Sequence, residues 1–470
     1  MTADLWRLDA TAVVEGIRTR RFSAREVVAA CLGRIETTNP QINALTEIRP
    51  DAALAAAAAA DRMLTEGTIP GPLHGVPVTI KGNVDLAGWA TVNGCAALRD
   101  SVAQATAPAV GRWLAAGAIV LGRSNTPEFC CRWDTDNEVF GRTRNPWHPG
   151  RTPGGSSGGA AASLAVGMAP LAHGNDLGGS LRQPAQACGI ASIKPGLGRV
   201  PTFNATDAAE LGIGGQLMWT EGAMARSVRD VRLALGVMAG ADPRDPWAQP
   251  VGMTEVAGPA RGRIALVVDP ARGGVSAQVA EGVRRAGQLL AAAGYEVESI
   301  EPPGIEAAAA IWRTVCLGEL LTRLEPAVRD ICGPALRRTL ANYRAVAPPL
   351  TLEAYAGALA DRRRVLRDWL QFLERYPLVV GPVGTEPPLP PDADNESVES
   401  TNDTIHSFRF TVAVNALGLP SAVVPVGTGA GMPQVVQIIG APFAELRCLA
   451  AAEAIEAAAA PLTPIEPRPG

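Results

Sequence analysis

The chain has 470 residues, 47% of them hydrophobic and 19% charged, with a formal net charge of -4. Such a make-up belongs to a globular protein with a large core and excludes intrinsic disorder. The slight negative charge offers no electrostatic basis for a nucleic-acid partner, because phosphate binding needs a basic surface.

The N-terminal stretch MTADLWRLDA lacks a basic segment followed by an apolar run, so no secretory leader is expected and a cytoplasmic location is. In SAREVVAACLGRIE, Ser23 with Glu26 three residues later forms a capping-box pattern that opens a helix, which Pro40 is expected to close. A second helix is expected over Asp51 to Glu66; its run DAALAAAAAADRM is too short and too charged at its flanks to span a membrane. GVPVTIK carries β-branched Val76, Val78 and Ile80 and reads as a buried strand ending at Lys81. AVGRWLAAGAIVLGRSN reads as helix, turn at Gly117 and strand. GGAAASLAVG is helical, MAPLAHGND is a strand running into a glycine turn, and GIASIKP is another strand.

Farther on, RIALVVD, VAEGVRRAGQLLAAAG and YEVESIEPP form strand, helix ending at Gly294, and strand, an order that predicts parallel pairing. Residues 305 to 375 look helical, PLVVGP is a buried strand, and TEPPLPPDADNESVES is an acidic, proline-rich surface loop. SAVVPVG and QVVQIIG return to strand, and ELRCLAAAEAIEAAA ends the pattern as a helix. Strands alternate with helices throughout. That order predicts an α/β fold with a large, mixed but mostly parallel twisted sheet covered by helices on both faces. No linker divides the chain, so residues 1–470 are expected to form a single domain. Within it lie N-terminal helices over 1–66, a core over 70–235 that holds the glycine-rich segments, and a helical lobe over 305–375.

The eight cysteines form no C-x-x-C pair, so zinc ribbons and thioredoxin-like motifs are excluded, and reduced, buried thiols are expected. Three segments carry the chemistry. GGSSGG, around Ser156 and Ser157, lacks the Gly-Lys-Ser/Thr of a phosphate-binding loop. It also lacks the preceding strand that a nucleophile elbow requires, since Arg151-Thr152-Pro153 is a turn. GNDLGGSLRQPA places Leu177, Gly178, Gly179 and Ser180 in a turn whose successive amides converge as an oxyanion hole requires, although a plain tight turn also fits. Lys81 ends an apolar strand, where desolvation disfavours its charged form and favours a neutral amine base; a salt-bridged lysine is the alternative. No motif selects His74, His148, His173 or His406 as the base of a Ser-His-Asp triad.

Taken together, these segments resemble the amidase signature family of Ser-cis-Ser-Lys hydrolases. LHGVPVTIKGNVD is similar to the family's lysine segment. NPWHPGRTPGGSSGGAAA and GNDLGGSLRQPAQACG resemble the signature itself, and EGAMARSVRDV, FTVAVNALGLPSAVVPVG and MPQVVQIIG resemble later segments. The resemblance implies an amidase that hydrolyses a carboxylic amide through a serine acyl-enzyme. It makes Ser180 the nucleophile, Ser156 the bridging serine after a cis Gly155–Ser156 bond, and Lys81 the base. The backbone amides of Leu177, Gly178, Gly179 and Ser180 become the oxyanion hole, with Ser157 and Asp176 in support. It implies no metal or other cofactor, a small-molecule amide as partner, no membrane and no nucleic acid, and it leaves a homodimer open. The segment with Phe129, Cys130, Cys131 and Trp133 is expected to line the acyl pocket and to favour an aryl or medium-sized apolar group, with ordinary core residues as the alternative. Asn175 stands where serine or threonine is usual, Gly196-Leu197 where Thr-Tyr is common, and Gly222-Ala223 where Gly-Pro is. The catalytic subunit of a glutamyl-tRNA amidotransferase is the second reading, which the QLMWTEGAM stretch disfavours.

Overall fold

The computed structural model describes residues 4–207, 209–253 and 261–468. Its backbone is an eleven-stranded sheet. The strands are β1 (Leu45–Ile48), β2 (Pro77–Lys81), β3 (Ile119–Ser124), β4 (Leu171–Asp176), β5 (Ala191–Lys194), β6 (Thr220–Ala225), β7 (Arg263–Leu266), β8 (Glu296–Glu298), β9 (Leu378–Pro382), β10 (Ser421–Gly429) and β11 (Met432–Gly440). They lie in the order β1-β3-β2-β4-β6-β5-β10-β11-β9-β7-β8. The α/β class and the mixed sheet follow the alternation of strand and helix, and β7 and β8 pair in parallel as their order predicts.

The expected parallel majority does not hold. Parallel pairing is confined to β3-β2-β4 and β9-β7-β8, and the other six pairings are antiparallel. Two causes are local. SAVVPVG and QVVQIIG are joined by Ala430-Gly431, both with positive φ, as a tight hairpin turn requires. And TEGAMA, which has no run of β-branched residues to mark it, forms β6 and inserts antiparallel between β4 and β5.

The helix expected from the capping box runs over Ala24–Ile42, with Ser23 and Glu26 exchanging both bonds. It does not close at Pro40 but continues through it to Asn43, whose left-handed backbone caps the end. Pro40 has no amide to donate to the preceding turn, so the helix crosses one missing bond there. The stretch over 305–375 holds the helices Ile305–Trp312, Pro334–Val346 and Leu352–Arg375, with wide π-helical turns at Arg313–Leu317 and Leu320–Leu324. It packs around Trp312, Trp369, Tyr376 and Phe410 as a second apolar core beside the main one.

The acidic loop after β9 differs from the expected solvated surface. Asp394 is 2% exposed, and its carboxylate takes Arg132 Nη2 at 2.7 Å and the Trp133 amide at 2.7 Å. The arginine had to be neutralised because it too is buried. Replacing Asp394 by alanine removes its buried counter-charge and leaves Arg132 with Asp392 at 2.8 Å, and a loss of about 2 kcal/mol is expected in a chemical denaturation curve.

Candidate active site

β2 and β4 are parallel neighbours, so their C-terminal ends, Lys81 and Asp176, open on the same side of the sheet. Ser156 and Ser157 immediately precede the helix Gly158–Ala165, every residue of which is buried. Ser180 follows β4 by one glycine turn and precedes the helix Arg182–Cys188. The three segments that stand far apart in the chain meet here.

Lys81 is fully buried, and its Nζ lies 2.7 Å from Ser156 Oγ and 2.7 Å from Asn175 Oδ1. Asn175 Nδ2 donates to Asn83 Oδ1 at 3.2 Å, which leaves Asn175 Oδ1 as the acceptor for the lysine. The Gly155–Ser156 peptide bond is cis. Gly155 is held through its amide by Gln183 Oε1 at 2.7 Å, and the Gly154 carbonyl accepts Thr135 Oγ1 at 2.7 Å. Ser157 supports the arrangement with one long bond, from its Oγ to the Asn175 carbonyl at 3.4 Å.

Burial pulls Lys81 below the ordinary lysine range, and Cys130, Glu221 and Asp176 oppose that pull. A neutral amine is therefore within reach, with one N–H for Asn175 and a lone pair for the Ser156 proton. A second buried lysine, Lys194, is pushed down to about 7 by burial and then by Arg182. Its ammonium bonds the Pro195 carbonyl at 2.8 Å and takes no part in this arrangement.

Ser180 is 9% exposed, whereas Ser156 and Lys81 are covered. Its Oγ makes no hydrogen bond among the described residues, so it is free to meet a substrate. The turn that carries it is built from below by Asp176. One carboxylate oxygen takes the Gly179 amide at 2.8 Å, and the other takes the Leu181 amide at 3.1 Å and Arg182 Nε at 3.0 Å. Burial alone would raise this carboxyl, but Arg182 and Asn415 hold it well below the usual carboxylate range, so it stays ionised.

Above, two indoles clamp the turn. Trp312 Nε1 donates to the Leu177 carbonyl at 2.9 Å, and Trp133 Nε1 to the Gly178 carbonyl at 2.8 Å. A Cβ at Gly178 would come within 2.8 Å of the Trp312 ring, and Gly179 has a φ of +104°, so neither position admits a side chain. These bonds divide the four expected amides. Gly179 N–H is spent on Asp176 and does not face a substrate. The amides of Leu177, Gly178 and Ser180 have no protein acceptor among the described residues.

The segment expected to line the pocket also divides. Cys131 is buried against Val328, Cys332 and Leu336. Trp133 is buried among Trp312, Tyr343 and Phe408 and is the clamp just described. Only Phe129 and Cys130 keep appreciable surface. Both have left-handed backbones, with φ of 49° and 59°, a conformation that costs about 1 kcal/mol or more per non-glycine residue. That turn brings the Cys130 thiol near Lys81, whose protonated form it favours, and within 3.3 Å of Thr126 Oγ1. Sequence reasoning marked Asn175 only as a departure and did not reach Trp312 or Asn415, whose positions 135 and 239 residues from their partners leave no local signal. None of the four histidines is hydrogen-bonded to Ser156 or Ser180 among the described residues.

A buried lysine bonded to a serine, beside a second serine in a turn with free amides, is the layout of an acyl-transfer centre without histidine. The Amidase family model matches residues 26–449, and the chain belongs to that family. The chain is 41% identical over 453 residues to an indoleacetamide hydrolase of Bradyrhizobium diazoefficiens, covering 96% of this chain and 86% of the relative. It is 32% identical to a glutamyl-tRNA(Gln) amidotransferase subunit of Chloroflexus aurantiacus, over 96% and 97% of the two chains. Among solved structures, a 6-aminohexanoate cyclic dimer hydrolase superposes with a TM-score of 0.84 at 28% identity, covering 99% of each chain. The protein is an amide hydrolase.

Proposed function

We propose that the chain hydrolyses primary amides of arylacetic type through a Ser180 acyl-enzyme, with Ser156 as relay and Lys81 as base. The observation that carries this reading is the buried Lys81 Nζ at 2.7 Å from Ser156 Oγ. In the forward step Ser180 Oγ attacks the amide carbonyl, its proton passes to Ser156, and the Ser156 proton passes to the lysine lone pair. The carbonyl oxygen becomes an oxyanion among the amides of Leu177, Gly178 and Ser180. Collapse breaks the C–N bond, and the proton returns by the same path to the departing nitrogen, which leaves as ammonia or amine. A water molecule then repeats the sequence on the ester and releases the carboxylate.

The substrate class rests on the 41% identity to an indoleacetamide hydrolase and on Phe129, which keeps some surface next to Cys130. The cytoplasm is the proposed compartment, supported by eight cysteines that are all unpaired. No helix among the described residues is long and apolar enough to cross a membrane. The likeness to a tRNA amidotransferase component favours a second reading, in which the chain works only within an assembly.

A panel of indole-3-acetamide, phenylacetamide, acetamide and glutamine, given to the purified protein alone, separates the two. The arylacetamides are expected to be turned over with kcat/KM on the order of a hundredfold above acetamide, a ratio within reach of an apolar pocket. Equal rates across the panel overturn the substrate class. Silence until partner proteins are added overturns the free-standing hydrolase.

A further inference from the structure

Glu221 on β6 lies directly across the sheet from Asn175 on β4. It is 4% exposed. Its Oε1 accepts the Trp219 indole N–H at 2.8 Å. Its Oε2 comes within 3.0 Å of His173 Nε2, but out of line, so this oxygen and both His173 nitrogens lack a hydrogen-bond partner. His173 is fully buried, with the Trp113 ring set edge-on at 6.0 Å. No arginine pairs with Glu221 among the described residues, in contrast to Asp176 and Glu445. Asp176 pairs with Arg182, and Glu445 pairs with Arg199.

Antiparallel cross-strand neighbours have Cβ atoms about 5 Å apart. Glu221 therefore stands one side chain behind Asn175, the residue that bonds Lys81. The charged and titratable groups that face the lysine are Cys130 from the turn after β3, Asp176 at the end of β4 and Glu221 from β6, and each favours its protonated form. Those that face Glu221 are Lys81, His173 and, from the loop before β6, Asp207. Asp176 also has Arg182 as its counter-charge, whereas Glu221 has no arginine partner among the described residues.

We propose that Glu221 is a positioning residue for the hydrolysis, whose carboxylate behind Asn175 sets the pH at which Lys81 becomes a base. The proposal rests on Lys81 being that base. The carboxylate acts in two directions. It holds the ammonium form to higher pH, and it stabilises the ammonium that forms each time the lysine takes the serine proton.

The test is the pH profile of kcat/KM for the preferred amide, together with the pH profile of Ser180 labelling by a fluorophosphonate reagent. Glu221→Gln is expected to move the acid limb of both profiles down by about one pH unit, the smaller end of what a neighbouring opposite charge does. Its plateau is expected to fall several-fold, because the lysine is a weaker base. Glu221→Asp, which keeps the charge, is expected to leave the limb near its wild-type place. Both variants are also measured with Asp207→Asn, so that this carboxylate does not supply the limb. Should Glu221→Gln not fold, Glu221→Met, apolar and of similar volume, is expected to shift the limb in the same direction. An unmoved limb in the uncharged variants, or an equal shift in Glu221→Asp, overturns the proposal. Lys81→Met distinguishes the underlying reading: if it keeps activity and the acid limb, the lysine is not the base. If it is inactive while Glu221→Gln leaves the limb in place, only the role of Glu221 falls.

Discussion

Ser180→Ala is expected to abolish amide hydrolysis, with a fall in kcat of about 10⁴-fold or more, while the protein remains folded. The loss is large because no neighbouring hydroxyl can take over the attack. Ser156 is covered and held to Lys81 at 2.7 Å, whereas Ser180 is the member of the set with its Oγ unbonded and its surface open. The fold is expected to survive for the same reason: the lost oxygen held nothing in place. The turn is fixed instead by Asp176 at the Gly179 and Leu181 amides, and by the indoles of Trp312 and Trp133 at the carbonyls. Intact-mass measurement during turnover checks the assignment. An acyl adduct is expected on the wild type and not on the variant, and an adduct that survives the substitution would move the nucleophile elsewhere.

Lys81→Met is expected to cost at least about 10³-fold near neutral pH, with the melting temperature little changed. Methionine fills similar volume and needs no solvation in a site that excludes water, and replacing a buried charge by an apolar group is often neutral or better for stability. The wild-type rate is expected to rise from neutral toward alkaline pH. The sign follows from the role: only the neutral amine accepts a proton, and its fraction grows as pH rises. Burial lowers the lysine, so the rise begins below the ordinary lysine value near 10.4, while Cys130, Glu221 and Asp176 delay it. Rates measured with substrate in excess, under conditions where acylation limits turnover, check this. A flat profile in the wild type would count against an amine base.

Much of the site is legible along the chain because its parts are local. Lys81 stands at the end of a strand that five consecutive buried residues define. Ser156 and Ser180 sit in glycine-rich turns next to helices. Likewise the capping box at Ser23 and Glu26 specifies its helix start from four residues alone. What failed did so where a distant group decides. Pro40 was expected to end a helix, but a left-handed Asn43 three residues later sets the end. Asp394 lies in a stretch whose composition reads as solvated, yet Arg132, 262 residues earlier, draws it inside. Nor does any local pattern show that the Trp133 indole donates to the Gly178 carbonyl, 45 residues on.

By itself, then, the chain determined the α/β class and the family, and it singled out Lys81, Ser156 and Ser180, since each rests on short-range pattern: strand alternation and glycine turns. Only the tertiary structure decided that six strand pairings run antiparallel, that the Gly179 amide is bonded to Asp176, and that Asn175 and Glu221 stand in line behind Lys81. The physical reason is the same in each case. Register between strands and the choice of partner for a buried polar group are settled by which distant surfaces meet once the apolar core has closed, and that choice leaves no mark on the neighbouring residues.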